Sequence, residues 1–435
     1  MDSRGRFEEA AAVAESVTIT DNRTGQSLEI PIVNGGIASS EFSKLLPGIW
    51  FYDPAFSATA LCESAITFVD GDAGILEHRG YPIEQLAEKS SYLEVAYLLT
   101  HGELPTAQQL QAWKAEIGRH ALIEEKFVER FVAGFHKGAH PMGMLVAAVA
   151  ALSTFYPESK DIADRENRRL QEMRLIAKMP TLAAAVHRFS VGEEFVPPDE
   201  NLPFGENFLT MMWDTGRPDF EVNPVLAHAI DVLFILHADH EQNCSTAALR
   251  VVGSAHADPY SACSAACAAL YGPRHGGANE QVIKMLSSIG SVDNVDAFVK
   301  SVKGSHGRIQ GVGHRVYKHY DPRATIIRKI AYDVFDVAGK NPLLDVALKL
   351  EEAILADEYF TSRRLYPNVD FYSGFIYQAM GFPPEMFTVL FALARTSGWV
   401  AHWAEMLDAD ERIARPRQLY TGSRRRDYVP IEERG

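Results

Sequence analysis

The sequence has few cysteines, and none of them has the spacing of a redox or zinc motif. Its 435 residues contain only Cys62, Cys244, Cys263 and Cys267, and no two of these form a C-x-x-C pair. A chain of this length buries a large core and needs neither disulfides nor a metal to fold. Cys263 and Cys267 lie four apart in an alanine-rich stretch, so we expect them to be buried free thiols on one helix face.

Long apolar runs and a surplus of positive charge are also missing. No run of about 18 apolar residues suggests a membrane span, and residues 1–16 lack the apolar segment of a secretory signal. The formal net charge of −15 argues against general nucleic-acid binding, which requires a basic surface. An anionic small molecule still fits, because a local pocket can be basic in an acidic protein. We expect a cytoplasmic protein without nucleic-acid or membrane partners.

The common nucleotide, hydrolase and zinc motifs do not occur. GVGHRV (311–316) lacks the third glycine and the βαβ context of a dinucleotide fingerprint. Neither G-x-S-x-G nor G-x-x-x-x-G-K-[ST] is found. His237 and His240 lie three apart with Glu241 next to them, but the order H-x-x-H-E matches neither zinc-protease pattern. We therefore predict no metal site and no redox cofactor.

Hydrophobic periodicity predicts a mainly α-helical fold with a small N-terminal β element. The β-rich runs 17–21 and 28–33 flank a turn-forming segment, and a second hairpin is predicted over 66–80. After residue 80 the helical period dominates. Helices are predicted over 83–102, 107–133, 141–155, 167–178, 181–190, 223–241, 260–271, 323–338, 342–357 and 384–407.

Histidine, aspartate and arginine concentrate in short stretches rich in glycine and proline. The stretches are LHADHEQN (236–243), YGPRHGGANE (271–280), GVGHRVYKHYDPRA (311–324), YPNVDFYSG (366–374), ALARTSGW (392–399) and IARPRQLYTG (413–422).

Together these stretches hold an inventory suited to carbon-acid chemistry on a dicarboxylate. His275 and His314 are imidazoles in glycine-containing loops. Asp370 lies among aromatic residues, where partial desolvation raises the basicity of a carboxylate. Planar guanidinium groups that match carboxylates come from Arg323, Arg395 and Arg415.

In this order the stretches resemble the motifs of the citrate synthase family, which also includes 2-methylcitrate synthase. The resemblance runs from about residue 16 to 428, and G-x-G-H-R-V-Y-K-x-x-D-P-R is specific to the family. Val312 departs from it, since Phe or Tyr is usual there. The N-terminal β element and DGDAGILEHRGYPI (70–83) resemble the longer bacterial form, type II.

The resemblance implies a condensation of acetyl-CoA with oxaloacetate, the entry step of the tricarboxylic acid cycle. Asp370 would remove a methyl proton from acetyl-CoA, and His275 would donate a hydrogen bond to the enolate oxygen. His314 would polarise the ketone and protonate the alkoxide. Hydrolysis of the thioester would then release citrate and CoA. The substrate carboxylates would be held by His240, Arg323, Arg395 and Arg415.

The resemblance also implies a two-domain helical fold and a shared active site. Residues 1–276, with a β element at about 16–35, and 382–435 would form the large domain, and 277–381 the small domain. Closure of the cleft would exclude water until condensation is complete. The assembly would be a homodimer, or a hexamer built from three dimers, with Arg415 donated in trans.

The resemblance implies two further sites. Loop 311–318 resembles a CoA-binding segment, which makes Val312, Gly313 and Lys318 candidate contacts, although Lys318 fits a solvated surface lysine equally well. RHALIEEK (119–126) resembles the segment RHTMIHEQ of bacterial enzymes inhibited by NADH. Ala121 and Arg217 depart from that pattern and argue against NADH control. The matching positions are Arg119, His120, Arg174 and Lys178.

Three other hypotheses remain. A 2-methylcitrate synthase, using propionyl-CoA, shares the motifs, because one methylene is worth only about 1–3 kcal/mol in an apolar pocket; the N-terminal β element favours acetyl-CoA. A non-catalytic regulator that binds CoA or a metabolite predicts loss of His275, His314 or Asp370, and none is lost. A helical scaffold protein would not need this set of arginines and histidines.

Overall fold

The computed structural model describes residues 15–305 and 307–434, and this part of the chain is mostly helical. It divides into two compact units. One unit contains residues 15–63 and 413–434, and the other contains 64–305 and 307–412. Residues 1–14, which are predicted to carry no secretory signal, lie outside the described residues.

The unit formed by the chain ends contains the predicted N-terminal hairpin. Strands β1 (Ser16–Asp21) and β2 (Gln26–Pro31) pair antiparallel, and the turn between them closes on the Asp21 carbonyl with Gly25 at positive φ. Helix α1 (Ser39–Leu45) follows. The two chain ends meet where the Arg417 guanidinium lies 4.9 Å above the centre of the Trp50 ring.

The other unit opens with the second predicted hairpin. Strands β3 (Thr67–Asp70) and β4 (Ile75–His78) pair antiparallel, and the short β5 (Tyr81–Pro82) continues the sheet. The helices of this unit are α2 (Ile83–Lys89), α3 (Tyr92–His101), α4 (Ala107–Ala121), α5 (Glu125–Arg130), α6 (Pro141–Leu152), α7 (Arg165–Val191), α8 (Phe204–Trp213), α9 (Pro224–His237), α10 (Cys244–Gly253), α11 (Pro259–Tyr271), α12 (Ala278–Ile289), α13 (Val295–Ser305), α14 (Pro322–Ala338), α15 (Leu343–Ala356), α16 (Glu358–Thr361), α17 (Val369–Ala379) and α18 (Phe387–Asp408).

Two predicted helical stretches have different bounds in the structure. Helix α7 is one helix of 27 residues, so the predicted interruption before residue 181 is wrong. Pro180 removes one backbone donor, but the residues on both sides of it are buried and hold the helix together. The predicted helix 83–102 is in fact α2 and α3, which separate at Ser90 and Ser91, where the backbone is extended.

Helices α7 and α18 lie at the centre of the core and contact each other, and α18 also packs on α3, α9, α10 and α11. Cys263 and Cys267 are buried on α11, as predicted, whereas Cys244 is exposed. The proposed small domain over 277–381 stays a prediction; within it α12 packs on α15 and α17. None of the described helices is long and apolar enough to cross a membrane.

Candidate active site

The site is built at helix ends, where capping residues fix the loops that carry its side chains. After α9, the loop 238–243 ends at Asn243, whose Oδ1 accepts hydrogen bonds from the backbone N–H groups of Ser245 and Thr246 at 3.1 Å each. Asn243 is thus the N-cap of α10. The loop carries His240, which is buried, and the Ser245 N–H at the start of α10 points to the next residue of the site, His275.

His275 lies in the turn between α11 and α12 and faces the N-terminus of α10. Its Nε2 accepts a hydrogen bond from the Ser245 N–H at 3.3 Å and is 2.9 Å from the Ser245 hydroxyl. A neutral ring that accepts at Nε2 carries its proton on Nδ1. Burial, and then the Arg395 charge, lowers the pKa of His275 to about 4. A neutral His275 can donate a hydrogen bond from Nδ1, and its Nε2 faces the N-terminus of α10.

His314 has the opposite arrangement of ring nitrogens. Its Nδ1 accepts the backbone N–H groups of Val316 and Tyr317 at 3.1 Å each, so a neutral ring carries its proton on Nε2. Burial, and then Arg323, lowers the pKa of His314 to about 4. The Tyr317 hydroxyl lies 3.1 Å from the His240 Nε2. The imidazole centres of His240 and His314 are 5.4 Å apart.

Asp370 is the second residue of α17, and its side chain is half-buried. Asn368 caps the helix by accepting the Asp370 N–H at 3.0 Å, and the Asn368 side chain donates to the Gly313 carbonyl. Burial raises the pKa of Asp370 to about 6, against the lowering effect of Arg323. The Asp370 Oδ1 is buried and has no hydrogen-bond partner among the described residues.

The two buried arginines differ in how fully they are bound. Arg323 makes a bidentate pair with Asp321, from Nε at 3.0 Å and from Nη2 at 2.8 Å. Burial alone lowers the pKa of Arg323, but Asp321 outweighs it and raises the pKa above its usual value. Arg395 donates from Nε to the His237 carbonyl at 2.6 Å, and its buried Nη1 lacks a partner within the described part of the chain. Burial lowers the pKa of Arg395 to about 10, so it stays a cation at neutral pH.

Charge and ring contacts bring six predicted residues together in one unit. Arg323 and Arg395 both act on the Asp370 carboxylate, and the Phe391 ring lies between Arg395, at 4.7 Å, and His275, at 6.0 Å. We call these six the His–Asp–Arg cluster: His240, His275, His314, Arg323, Asp370 and Arg395.

Arg415, the seventh predicted residue, belongs to the unit formed by the chain ends. Its side chain is exposed, and its Nη1 lies 3.4 Å from the Pro416 carbonyl oxygen.

The loop predicted to bind CoA is fixed mainly by its backbone. Gly313 donates its N–H to the Tyr366 carbonyl at 2.8 Å and has a φ of +85°. Val312 pairs with Pro367 and is half-buried. Lys318 is exposed, and its Nζ is 3.5 Å from the Arg315 carbonyl oxygen. Of the three, only Lys318 presents a charge to solvent.

The four residues matched to an NADH site gather at the C-terminal end of α4, but protein groups already bind them. Lys178 donates to the carbonyls of His120 and Leu122, at 2.8 and 2.5 Å. Arg119 and His120 face Glu116. Arg174 binds Glu158 at 2.5 Å and stacks on Tyr156.

Sequence reasoning missed the groups that support the cluster. Asp239 and His402, both fully buried, lie with Oδ2 and Nε2 3.3 Å apart. Burial alone raises the pKa of Asp239, but His402 and Arg395 outweigh it and hold the pKa below its usual range. The pair joins the loop that carries His240 to helix α18. Asp239 stands in a quoted motif, but no local pattern links it to a partner 163 residues away.

No group of three or more histidine, cysteine, aspartate or glutamate side chains that could hold a metal ion is found among residues 15–305 and 307–434. The absence of a metal and of a cofactor stays a prediction.

Comparisons with known sequences agree with the motifs. A family model described as "Citrate synthase, C-terminal domain" matches residues 55–417. The chain is 51% identical over 433 residues to "Citrate synthase, peroxisomal" of Dictyostelium discoideum, covering 97% of this chain and 88% of that protein. It is 48% identical over 436 residues to "Citrate synthase, glyoxysomal" of Cucurbita maxima, covering 97% and 84%.

Solved structures resemble the fold. A citrate synthase from Pyrobaculum aerophilum superposes with a TM-score of 0.79 at 40% identity, covering 86% of this chain and 93% of that one. A citrate synthase from Thermoplasma acidophilum, in a ternary complex with carboxymethyl coenzyme A and oxaloacetate, gives a TM-score of 0.80 at 33% identity, covering 87% and 98%.

Proposed function

Because the chain belongs to the citrate synthase family, it is an acyltransferase that converts the acyl group into an alkyl group on transfer, and we propose that the His–Asp–Arg cluster carries this reaction. The reaction joins acetyl-CoA to oxaloacetate and hydrolyses the resulting thioester to citrate and CoA. The Thermoplasma relative holds a CoA analogue together with oxaloacetate, which supports binding of the same pair here.

One observation carries the assignment of the cluster. Asp370 Oδ1 and Arg395 Nη1 are both buried without a hydrogen-bond partner in the described residues, and the charge of each shifts the pKa of the other. Leaving such groups unsatisfied costs about 1–3 kcal/mol each in a folded protein. A substrate that brings a carboxylate for Arg395 and a proton for Asp370 satisfies both groups.

The acid–base roles follow from the ring nitrogens and the pKa values. Asp370, ionised above about pH 6, takes a methyl proton from acetyl-CoA. The thioester oxygen then gains negative charge and accepts a hydrogen bond from the Nδ1–H of His275, a neutral ring with a pKa of about 4. The enolate carbon attacks the ketone of oxaloacetate, and the Nε2–H of His314 donates to the oxygen that becomes an alkoxide.

Two arginines bind the substrate carboxylates, and they differ in how many of their N–H groups the protein already binds. Arg395 offers a free Nη1, which makes it the principal clamp. Asp321 holds Nε and Nη2 of Arg323, and Nη1 lies 3.5 Å from the Leu236 carbonyl oxygen. Asp321 therefore orients Arg323, and N–H groups of Nη1 and Nη2 remain for a substrate carboxylate. His240, already near Tyr317, contributes a hydrogen bond.

An initial-rate comparison tests the proposed reaction. Free thiol release is measured with acetyl-CoA and with propionyl-CoA, each with oxaloacetate. We expect a higher kcat/KM for acetyl-CoA. A preference for propionyl-CoA would assign 2-methylcitrate synthesis instead, and no thiol release with either thioester would indicate a binding protein without catalytic activity.

The assembly is part of the same proposal. We propose a homodimer, or a hexamer of three dimers, in which Arg415 completes the partner's site. The unit formed by the chain ends exposes large apolar side chains, with Tyr52 at 74% and Tyr428 at 80% exposure. Exposed apolar surface of this kind marks protein–protein contacts. The inserted small domain over 277–381 and the longer bacterial form also belong to this proposal, whereas the relatives from Dictyostelium discoideum and Cucurbita maxima are eukaryotic.

Location and regulation complete the proposal. We place the protein in the cytoplasm, although two relatives are named for the peroxisome and the glyoxysome. The proposed reaction requires no cofactor, because acetyl-CoA takes part in it as a substrate.

Lys318, which is exposed, is the proposed phosphate contact for CoA, with Val312 and Gly313 of the same loop as further contacts. NADH control would require Lys178 to release the two backbone carbonyls that it binds.

A further inference from the structure

The orientation of His314 depends on the turn that follows it, residues 314–318. The backbone N–H groups of Val316 and Tyr317 hold the His314 Nδ1. The turn therefore aims the Nε2–H, and any displacement of the turn moves the imidazole with it. A proton donor misplaced by about 1 Å loses on the order of 100-fold in rate.

The backbone at the tip of the β3–β4 hairpin, Asp70–Gly74, is in close contact with this turn. The Gly71 carbonyl accepts the Lys318 N–H at 2.7 Å. A Cβ atom built on Gly71 would lie 2.1 Å from the Val316 carbonyl oxygen and 2.6 Å from its carbon. Both neighbouring atoms belong to the main chain, so they cannot rotate away as a flexible side chain would. The contact requires glycine at position 71.

The shape of the tip is fixed locally. The Asp70 Oδ1 accepts the N–H groups of Asp72 and Ala73 at 2.9 Å each, which closes an Asx turn. Gly74 has a φ of +71°, and a Cβ there would lie 3.3 Å from the Tyr320 carbonyl oxygen. The hydrogen bonds of Asp70 therefore hold the shape of the tip from within the hairpin.

The ion pair at the same place contributes little. The Arg364 Nη1 lies 3.2 Å from the Asp72 Oδ1, but the two side chains are 59% and 82% exposed. Exposed pairs are typically worth about 0.2–1 kcal/mol. The backbone contact of Gly71, and not this pair, connects the hairpin to the turn.

We propose that the hairpin tip is a positioning element for His314, acting through the contact of Gly71 with the turn 314–318. The proposal rests on the role of His314 in the proposed function. Gly71 touches no reacting atom; it sets where the proton donor of the ketone stands.

Gly71→Ala tests the proposal, with Gly304→Ala as the matched control because a Cβ at Gly304 meets no atom within 4 Å. We expect kcat to fall roughly 10- to 100-fold in Gly71→Ala, from a misplaced donor, with the KM for acetyl-CoA little changed. Gly304→Ala should keep the wild-type kcat. Oxaloacetate labelled with carbon-13 at its ketone carbon gives a direct signature, since its bound chemical shift should move back towards the free value.

A second series avoids the steric clash in case Gly71→Ala does not fold. Asp70→Ala removes the acceptor that shapes the tip and should lower kcat, whereas Asp70→Asn keeps an acceptor and should restore it. Asp199→Ala, which removes a similar turn contact to the Asn201 N–H, should leave kcat unchanged.

Two results would overturn the proposal: a Gly71→Ala enzyme with wild-type kcat and an unchanged carbon-13 shift, or Asp70→Ala and Asp70→Asn enzymes that are indistinguishable. Failure of the proposed function gives a different result, because the wild-type protein itself would then release no thiol.

Discussion

Burial sets the protonation states of the residues proposed for chemistry. Desolvation disfavours the charged form of every group, so it raises the pKa of Asp370 to about 6 and lowers the pKa values of His275 and His314 to about 4. At neutral pH the site therefore holds one ionised base and two neutral donors. Burial thus raises the pKa of the carboxyl group and lowers the pKa values of the imidazoles, which suits one base and two neutral donors.

The pH dependence of kcat/KM follows from these values. Asp370 must be ionised to accept a proton, so kcat/KM should rise as the pH increases through about 6. The two imidazoles are already neutral above about pH 4, so they cause no further change of kcat/KM with pH in that range. Initial rates measured from about pH 5 to about pH 8 would show this rise; a flat profile, or a fall in that range, would contradict the role of Asp370.

Arg395→Lys should weaken oxaloacetate binding far more than acetyl-CoA binding. Lysine keeps the charge but lacks the planar fork that reaches both the His237 carbonyl and a substrate carboxylate. Losing one charge-assisted hydrogen bond costs about 1.5–3 kcal/mol, roughly 10- to 150-fold in affinity. The KM of each substrate is measured, with the exposed Arg363→Lys as the control. Equal losses for both substrates would place Arg395 outside the carboxylate clamp.

The sequence identified the six residues of the cluster but not what holds them. His275 and His314 stand in recognisable motifs, whereas their orientation depends on Ser245 and on the amides of Val316 and Tyr317. A partner such as His402, far along the chain from Asp239, has no local signature. The sequence therefore points to the residues that the fold brings together, while the groups that orient them are visible only in the fold.

At the scale of elements, three of the six motif stretches contain a helix N-cap. Asn243, Asp321 and Asn368 each accept the first backbone N–H groups of a helix that carries or supports a cluster residue. These caps place three of the motifs at helix starts, whereas ALARTSGW (392–399) lies inside α18. Periodicity located the long helices, but it split α7, joined α2 to α3 and α4 to α5, and missed shorter helices such as α8, α12 and α17. Pro180 misled the prediction because buried packing, which sequence periodicity does not report, keeps α7 continuous.

Close packing of α18 against the His240 loop gives a stability prediction. A Cβ on Gly398 would lie 2.3 Å from Asp239 Oδ1 and 2.5 Å from the Ala238 carbonyl oxygen. Gly398→Ala should lower the free energy of unfolding by about 1–3 kcal/mol, the usual cost of overpacking, and raise the KM for oxaloacetate. Urea unfolding measures the first effect.

Gly143→Ala is the control for that prediction, because it adds the same methyl group inside another helix, 3.8 Å from the nearest atom, on Tyr271. Replacing a helical glycine without a clash stabilises a protein by about 0.4–1 kcal/mol. Two variants with equal stability would show that the Gly398 contact is not tight.

At the scale of the whole molecule, both chain ends belong to one compact unit, and this unit contains Arg415. If Arg415 acts in trans, Arg415→Ala and Asp370→Asn should each be nearly inactive, and their mixed dimer should regain activity at one site. The Arg415→Ala chain supplies Asp370 to that site, and its partner supplies Arg415. Differently tagged chains allow the mixed dimer to be purified and assayed.

The control for complementation pairs Asp370→Asn with His314→Ala, two lesions proposed to lie in the same chain's site. Every site of that mixed dimer retains one lesion, so no activity should return. A correctly assembled Arg415→Ala and Asp370→Asn dimer that stays inactive would refute the shared site, as would a fully active monomeric wild-type protein.

The central claim is that Asp370 is the base of the condensation, and exchange of the acetyl-CoA methyl protons measures it most directly. Asn at position 370 keeps the shape of the side chain but cannot take a proton. We predict that Asp370→Asn binds oxaloacetate nearly as well as the wild-type enzyme, while deuterium from solvent no longer enters the methyl group and thiol release stops. Methyl exchange at the wild-type rate in Asp370→Asn would contradict the account.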